Sequence, residues 1–282
     1  MTKKNLILCA DDYAYTPENS KAIRNLLTKN KINATSCMTD TKYWPAEAKM
    51  LKLEINKIKK SPLIGLHFSL TEQTNSKYYI KSFFKNKNIG LLELLIRSKL
   101  RLISKKYIYQ ILEHQYNLFE KEFNQSPNFI DGHQHVHQFP VIRDALIKFY
   151  KNKKLKKSCF IRTTYPLYAS KDKFKELIIK ISGAKKFAKL IKNNNISTNN
   201  GFAGLYKINN KLDDKSNVNN NYKYFFEKIK NNSLIMCHPG IKNNKNILNN
   251  SDQIANRRVL EYQYFMSDEF TNHLKNSNII IN

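Results

Sequence analysis

The chain has 282 residues, 41% of them hydrophobic and 25% charged, enough for a sizeable core and ordinary for a globular protein. No apolar run approaches the roughly 20 residues of a membrane-spanning helix, and the opening run Asn5–Ala10 stops at Asp11-Asp12 rather than at a cleavage site of small residues, so a cytoplasmic protein is expected. Lys and Arg outnumber Asp and Glu by 49 to 22, a net charge of +27, but the lysines are scattered among Asn and Ile as base composition alone would produce, and no zinc-finger, RRM or basic-zipper pattern excludes the blander explanation; no specific nucleic-acid partner is expected.

Asn5–Ala10 reads as a first strand, followed by a helix over Pro17–Asn30 with Pro in its first turn and Ala22, Ile23, Leu26 and Leu27 at helical spacing. Ile32–Met38 reads as a second strand, Ala46–Ile55 as a helix, and Pro62–Leu70 as a third strand running into Thr71-Glu72-Gln73. Leu91–Leu102 and Ser104–Asn124 read as helices, the second with a broad apolar stripe. Asn128–Gly132 is a fourth strand leading into a histidine cluster, Pro140–Tyr150 a helix, and Phe160–Thr163 a fifth strand. Ser233–His238 is a late strand ending in Pro239-Gly240, and helices over Ile254–Phe265 and Ser267–Leu274 precede the apolar tail Ile279–Ile281. The Asn-rich stretch at about 192–222, around the apolar island Gly201–Tyr206, is expected to be an extended loop or an insertion in a single domain covering 1–282.

Short apolar strands alternating with helices imply parallel pairing through crossovers, an α/β class. Asp11-Asp12, His67, His133 and His238 each follow a separate strand. A barrel gathers such ends on one rim, so the expectation is a single irregular (β/α) TIM-like barrel with its active site at the C-terminal ends of the strands. Cys9, Cys37, Cys159 and Cys237 are far apart, without a C-x-x-C pair, and are expected to be reduced and mostly buried.

Two adjacent carboxylates at a strand end, Asp11 and Asp12, point to opposite sides and can divide the work, one holding a metal and one acting as a base; either can equally cap the next turn. His67 sits in an apolar run, where a hydrogen-bonded core histidine is the ordinary alternative to a ligand. His133, His135 and His137 alternate after Asp131-Gly132 and would share one side of an extended chain. Three of seven histidines in one pentapeptide point to metal binding or catalysis, with Asp131 placed to orient an imidazole through its second nitrogen. His238 stands at a forced turn where it could donate a proton, although an ordinary histidine at a strand-to-turn junction looks the same. His114 and His273, in lysine-rich helical contexts, are expected to be solvated. One Asp with two or three His fits a divalent site with an open position, which lowers the pKa of bound water to about 7. A flanking carboxylate base and a histidine acid complete the machinery for hydrolysing an amide or ester.

At these residues the chain resembles the YdjC-like (ChbG/HpnK-type) carbohydrate deacetylases. The motif A-D-D-[FY]-G appears as Ala10 to Ala14, G-[LM]-H-[FL]-x-L-T as Gly65 to Thr71, D-[GS]-H-x-H-V-H-x-x-P as Asp131 to Pro140, and H-P-G as His238 to Gly240, with weaker matches at Thr35-Ser36 and at Arg257–Glu261. The resemblance implies a metal-dependent hydrolase that removes an acetyl group from an N-acetylated sugar or oligosaccharide, on a deformed (β/α) barrel. It implies that Asp12, His67 and His133 hold one divalent ion, Mg2+ or Zn2+, that Asp11 is the base and His238 the acid, and that His135, His137 and Arg258 contact substrate. Two other readings stand beside it: a related metal hydrolase acting on a lipid-linked or phosphorylated acylated sugar, and a non-catalytic basic binder of RNA or another anionic polymer. Ala14 stands where the motif has glycine, which matters if the position requires a positive φ. Nothing in the sequence specifies the oligomeric state.

Overall fold

The computed structural model describes residues 2–72, 75–83, 88–155, 157–207, 215–242, 252 and 254–281. In chain order the elements are β1 (Lys4–Tyr13), α1 (Pro17–Thr28), β2 (Ala34–Cys37), α2 (Trp44–Ile55), β3 (Leu63–Phe68), α3 (Leu91–Lys99), α4 (Lys105–Phe123) and β4 (Phe129–Gly132). A 3-10 segment (His133–Gln138) leads to α5 (Ile142–Asn152), β5 (Phe160–Ile161), β6 (Leu167–Lys171), α6 (Lys173–Ile181), α7 (Ala184–Asn193), β7 (Phe202–Tyr206), α8 (Lys215–Lys228), β8 (Ser233–Cys237), α9 (Ala255–Met266), α10 (Asp268–Asn276) and β9 (Ile279–Ile281). Local chemistry sets several helix ends: Thr16 Oγ1 accepts from the Asn19 N–H ahead of α1, Ser104 Oγ accepts from the Tyr107 N–H ahead of α4, and α4 stops at Asn124 in the left-handed region, φ 52°.

The strands form one parallel sheet in the order β5-β4-β3-β2-β1-β8-β7-β6, curled into a (β/α) barrel. Leu6 pairs with both Ser233 of β8 and Ile281 of β9, so the expected apolar tail is a strand on the side of β1 away from β8. Residues 197–199 lie along the free edge of β5: the Ile161 N–H donates to the Ser197 carbonyl (3.0 Å), and the Asn199 side chain bonds both the N–H and the carbonyl of Thr163 (2.9 and 3.0 Å).

Side chains alternate across the sheet with period two. Leu6, Leu8 and Ala10 of β1, Ile64, Leu66 and Phe68 of β3, and Ile235 and Cys237 of β8 pack under the helices in the large outer core. Cys9, Ala34, Phe129, Phe202, Leu234 and Met236, with Ile7, Leu63 and Phe160 beside them, fill the barrel interior. Gly65 belongs to this inner face, where any side chain would strike the Phe129 ring. All four cysteines are buried and free.

Two expectations need correction. The stretch at about 192–222 is not one loop: it contains the end of α7, all of β7 and the start of α8, while 208–214 lie outside the described residues. β6 and α6 arose without any sequence expectation. His114 and His273 are not solvated either: His114 packs its ring 4.8 Å from that of Tyr78, and His273 Nδ1 pairs with the Tyr264 hydroxyl at 2.9 Å.

Candidate active site

Period two explains how six strands furnish one site. The inward series Ile7, Cys9 on β1 continues to Asp11; Ala34 on β2 to Ser36; Leu63, Gly65 on β3 to His67; Phe129 on β4 to Asp131; Phe160 on β5 to Arg162; and Leu234, Met236 on β8 to His238. Each final residue stands above the apolar interior at the C-terminal rim.

Asp12 departs from this alternation. As the next residue along β1 it would face the helices, but its φ of 66° turns it back, so that both aspartates line the same cavity. The expectation that they point to opposite sides is corrected by this single left-handed residue. Ala14 shares the strain at φ 66°, its N–H held by Ser20 Oγ at 3.0 Å. Ala14→Gly is expected to stabilise the fold by about 1 kcal/mol, because glycine has no Cβ to penalise this conformation. A urea midpoint unchanged or lowered by the substitution would contradict that account.

Asp12, His67 and His133 form a compact donor set, their candidate ligand atoms all within 4.8 Å of one another. His67 Nε2 lies 3.3 Å and His133 Nδ1 3.0 Å from Asp12 Oδ1. The companion atom of every donor is already held. His67 Nδ1 donates to Asp131 Oδ1 at 2.6 Å, His133 Nε2 faces Glu72 Oε1 at 3.2 Å, and Arg258 Nη2 donates to Asp12 Oδ2 at 2.7 Å. Two imidazoles and a carboxylate, each fixed from behind, fit a divalent transition-metal ion. Burial alone would depress both histidines, but Asp131 and Asp12 push His67 up to about 10, and Asp12 with Glu72 pushes His133 up to about 9. Burial would raise Asp12, yet Arg258 and His133 hold it well below the usual carboxylate range.

Asp11 is gripped bidentately by Arg162, Nη1 to Oδ1 at 2.7 Å and Nη2 to Oδ2 at 2.8 Å, and the same Nη1 lies 2.9 Å from Asp131 Oδ2. Burial pushes the Asp11 carboxyl up against the pull of the guanidinium. Cys9, Asp11 and Asp131 also stand close together, but the Arg162 guanidinium already supplies the cation there. Ser36 Oγ donates to Asp131, which is thereby engaged by Ser36, His67 and Arg162.

The three alternating histidines do not share one side. Gln134 and His135 have φ of 52° and 59°, and the 3-10 turn sends the rings apart. His133 joins the donor set, and His135 lines the cavity with its ring edge-on to Phe202 at 5.4 Å. His137 is fully buried outside the cavity lining, where its Nε2 donates to the Arg162 carbonyl at 2.9 Å, and its ring occupies the space that a side chain at Gly132 would need. Expected to touch substrate, His137 instead supports the strand end that carries Arg162. Asp131 does orient an imidazole, but that of His67 rather than one from the neighbouring cluster.

His238 reaches the cavity from β8, and α9 bolts it in place. Glu261 accepts from the His238 backbone N–H, from the Tyr206 hydroxyl at 2.5 Å and from Arg257 Nε at 2.8 Å. Burial, with Arg257, Arg258 and Lys175 nearby, holds the His238 imidazole well below the ordinary histidine value, hence neutral. Arg258, expected as a substrate contact, spends Nη2 on Asp12 and Nε on Asp252 at 2.7 Å, and its guanidinium lies 5.5 Å from the Tyr15 ring centre. The cavity has a volume of about 490 Å³; Asp11, Asp12, His67, His133 and His238 line its polar side, and Leu91, Phe174, Ile178 and Ile254 part of its apolar wall.

Sequence reasoning passed over Arg162, Glu72 and Glu261. Arg162 was accessible: the expected fifth strand, Phe160–Thr163, puts it on the same face as Phe160. Glu72 carries no local signal, because its partner His133 lies 61 residues away, whereas Glu261 stands four residues after its partner Arg257 on one helix face.

A mouse (Mus musculus) protein named carbohydrate deacetylase is 26% identical over 144 residues, a match covering 48% of this chain and 43% of that protein, so less than half of the relative's length. Among solved structures, a protein from Enterococcus faecalis V583, described as a candidate cellobiose-phosphate cleavage protein, superposes with a TM-score of 0.71 at 17% identity, covering 100% of this chain and 97% of that one, a likeness of fold. The model of the YdjC-like protein family matches residues 5–276, nearly the whole barrel and every strand-end residue described above, and the chain belongs to that family.

Proposed function

We propose that the protein is a metal-dependent hydrolase that removes an acetyl group from an N-acetylated sugar. The observation that carries this reading is the donor set Asp12, His67 and His133, each donor locked from behind, with the separate carboxylate of Asp11 beside it. Family membership and the name of the mouse relative support the same chemistry. A divalent ion, zinc or magnesium, held by these three residues supplies Lewis acidity toward an acetyl carbonyl and makes a water molecule more acidic.

The protein's own groups divide the remaining work. Asp11 takes the water proton at its carboxylate; burial raises its affinity for that proton, and the Arg162 fork keeps both oxygens oriented. His238 gives the departing amine its proton. Because its imidazole is neutral beforehand, the proton it delivers is the one Asp11 removes from the water, handed on before the carbon–nitrogen bond breaks, and its surroundings favour giving that proton up.

Asp11→Asn is expected to retain the ion while losing about 10²–10⁴ in kcat, the usual weight of a general base. Near wild-type turnover would remove Asp11 from that role. The reading as a whole is tested by acetate release from N,N′-diacetylchitobiose, longer oligomers and N-acetylated sugar phosphates, before and after metal stripping and re-addition. Release restored by metal supports it; no release from any of these by metal-loaded protein rejects them as substrates. Lys175, Phe174 and Ile178 on the cavity wall favour a second reading, the same hydrolysis on an acylated sugar that carries an anionic or apolar group, and the sugar phosphates would then be cleaved preferentially.

A further inference from the structure

The two histidines of the donor set are backed unequally. His67 leans on Asp131, which is fully buried and engaged by Ser36 and Arg162 as well, so this half of the site is part of the barrel core. His133 leans on Glu72, whose side chain is 30% exposed and belongs to the loop after β3. Glu72 is nevertheless held in place. Upstream, Gln115 of α4 clasps Ser69, accepting from its N–H (3.0 Å) and donating to its carbonyl (2.7 Å). Thr71 Oγ1 donates to Gln134 Oε1 at 3.0 Å, and Asn88 Nδ2 donates to the Glu72 carbonyl. The carboxylate therefore meets His133 from a braced backbone, and it also lines the cavity.

We infer that Glu72 is the positioning residue of His133, fixing Nδ1 as the atom that faces the ion and making the substrate side of the metal centre depend on the loop after β3. The inference rests on the metal-dependent reading proposed above. A carboxylate on the far nitrogen of a ligating imidazole sets its tautomer, fixes its ring and makes it a better donor. The same contact joins the site to its surroundings: Glu72 is the one carboxylate that both backs a donor and stands partly open to solvent in the cavity among the described residues, so a sugar hydroxyl that engages it also acts on His133. By thermodynamic reciprocity, whatever a bound sugar does to metal affinity the metal does to sugar affinity.

The test is zinc affinity, measured by competition with a chromogenic chelator, for wild type, Glu72→Gln and Glu72→Ala, with thermal midpoints of the metal-free proteins. Glu72→Ala is expected to weaken zinc by about 10–100-fold with an unchanged midpoint. Glu72→Gln keeps an acceptor for the Nε2 proton and is expected to restore most of the loss. If Glu72 only strengthens the hold of the empty site on its proton and does nothing for the imidazole once it faces the ion, the alanine variant binds zinc as tightly as wild type or more tightly, and the inference is overturned. An equal loss in both variants overturns it too, since the acceptor is then irrelevant. Failure of the wild type to take up zinc or magnesium would instead overturn the metal reading itself.

Discussion

Replacing Arg162 with methionine is expected to cost about 3–5 kcal/mol of folding free energy, the penalty for stranding buried charge without its partner. Arg162, Asp11 and Asp131 are 0%, 2% and 0% exposed, so water cannot take over from the missing guanidinium. Methionine fills a similar volume, which separates the loss of charge from the opening of a cavity. Two carboxylates would then stand close together with His67 as their remaining cation. The loss should appear as a lower urea midpoint in metal-free protein, and adding Asp131→Asn should recover part of it, because the two sites share one network. A cost below about 1 kcal/mol would show that Asp11 and Asp131 do not depend on this one cation.

Metal uptake is expected to release close to two protons per ion at neutral pH. With His67 pushed up to about 10 and His133 to about 9, both imidazoles are charged in the metal-free protein, and an ion must displace both protons. Apparent affinity then changes by about a hundredfold per pH unit, the slope that linkage assigns to two protons, and weakens as pH falls from 8 to 6. Calorimetry in buffers of different ionisation enthalpy counts the protons directly; one proton or fewer would mean that a histidine is already neutral. The sign for the metal-free protein is the opposite. Raised histidine values contribute stability that is fully present below about pH 6.5 and is lost as pH rises through about 9 to 10. Alkali should therefore loosen the empty protein while tightening its hold on the ion.

Three of the strands that carry the site were legible because each is a short apolar run that stops at a titratable residue: Leu8-Cys9-Ala10 at Asp11, Gly65-Leu66 at His67, Ile235-Met236-Cys237 at His238. β6 and β7 were not. β6 runs through Ser170 and Lys171 with only Ala169 buried, and β7 is five residues in Asn-rich surroundings with Gly204 at φ 111° interrupting its alternation. The histidine cluster misled for a related reason. Its turn relies on left-handed φ at two consecutive residues, Gln134 and His135, and glutamine does not signal such a conformation as glycine or asparagine would. Asp12 tolerates the left-handed region, but the apolar run before it signals only an extended strand. Local pattern thus specified which residues reach the rim, while tertiary partners decided which way they face.

The position of β1 in the sheet has a consequence for biosynthesis. The donor set is complete in sequence by His133, but β1 is flanked by β2 on one side and by β8 on the other, with Leu6 paired to Ser233. A nascent chain that has already made all three residues of the donor set still presents an open parallel edge, and it waits for about a hundred more residues, several seconds of translation, before that edge is covered. Contacts of such long sequence separation close slowly, and an uncovered edge recruits other strands. The residues that define the chemistry are therefore made early and secured late, and the interval between is when a growing chain most needs protection from its neighbours.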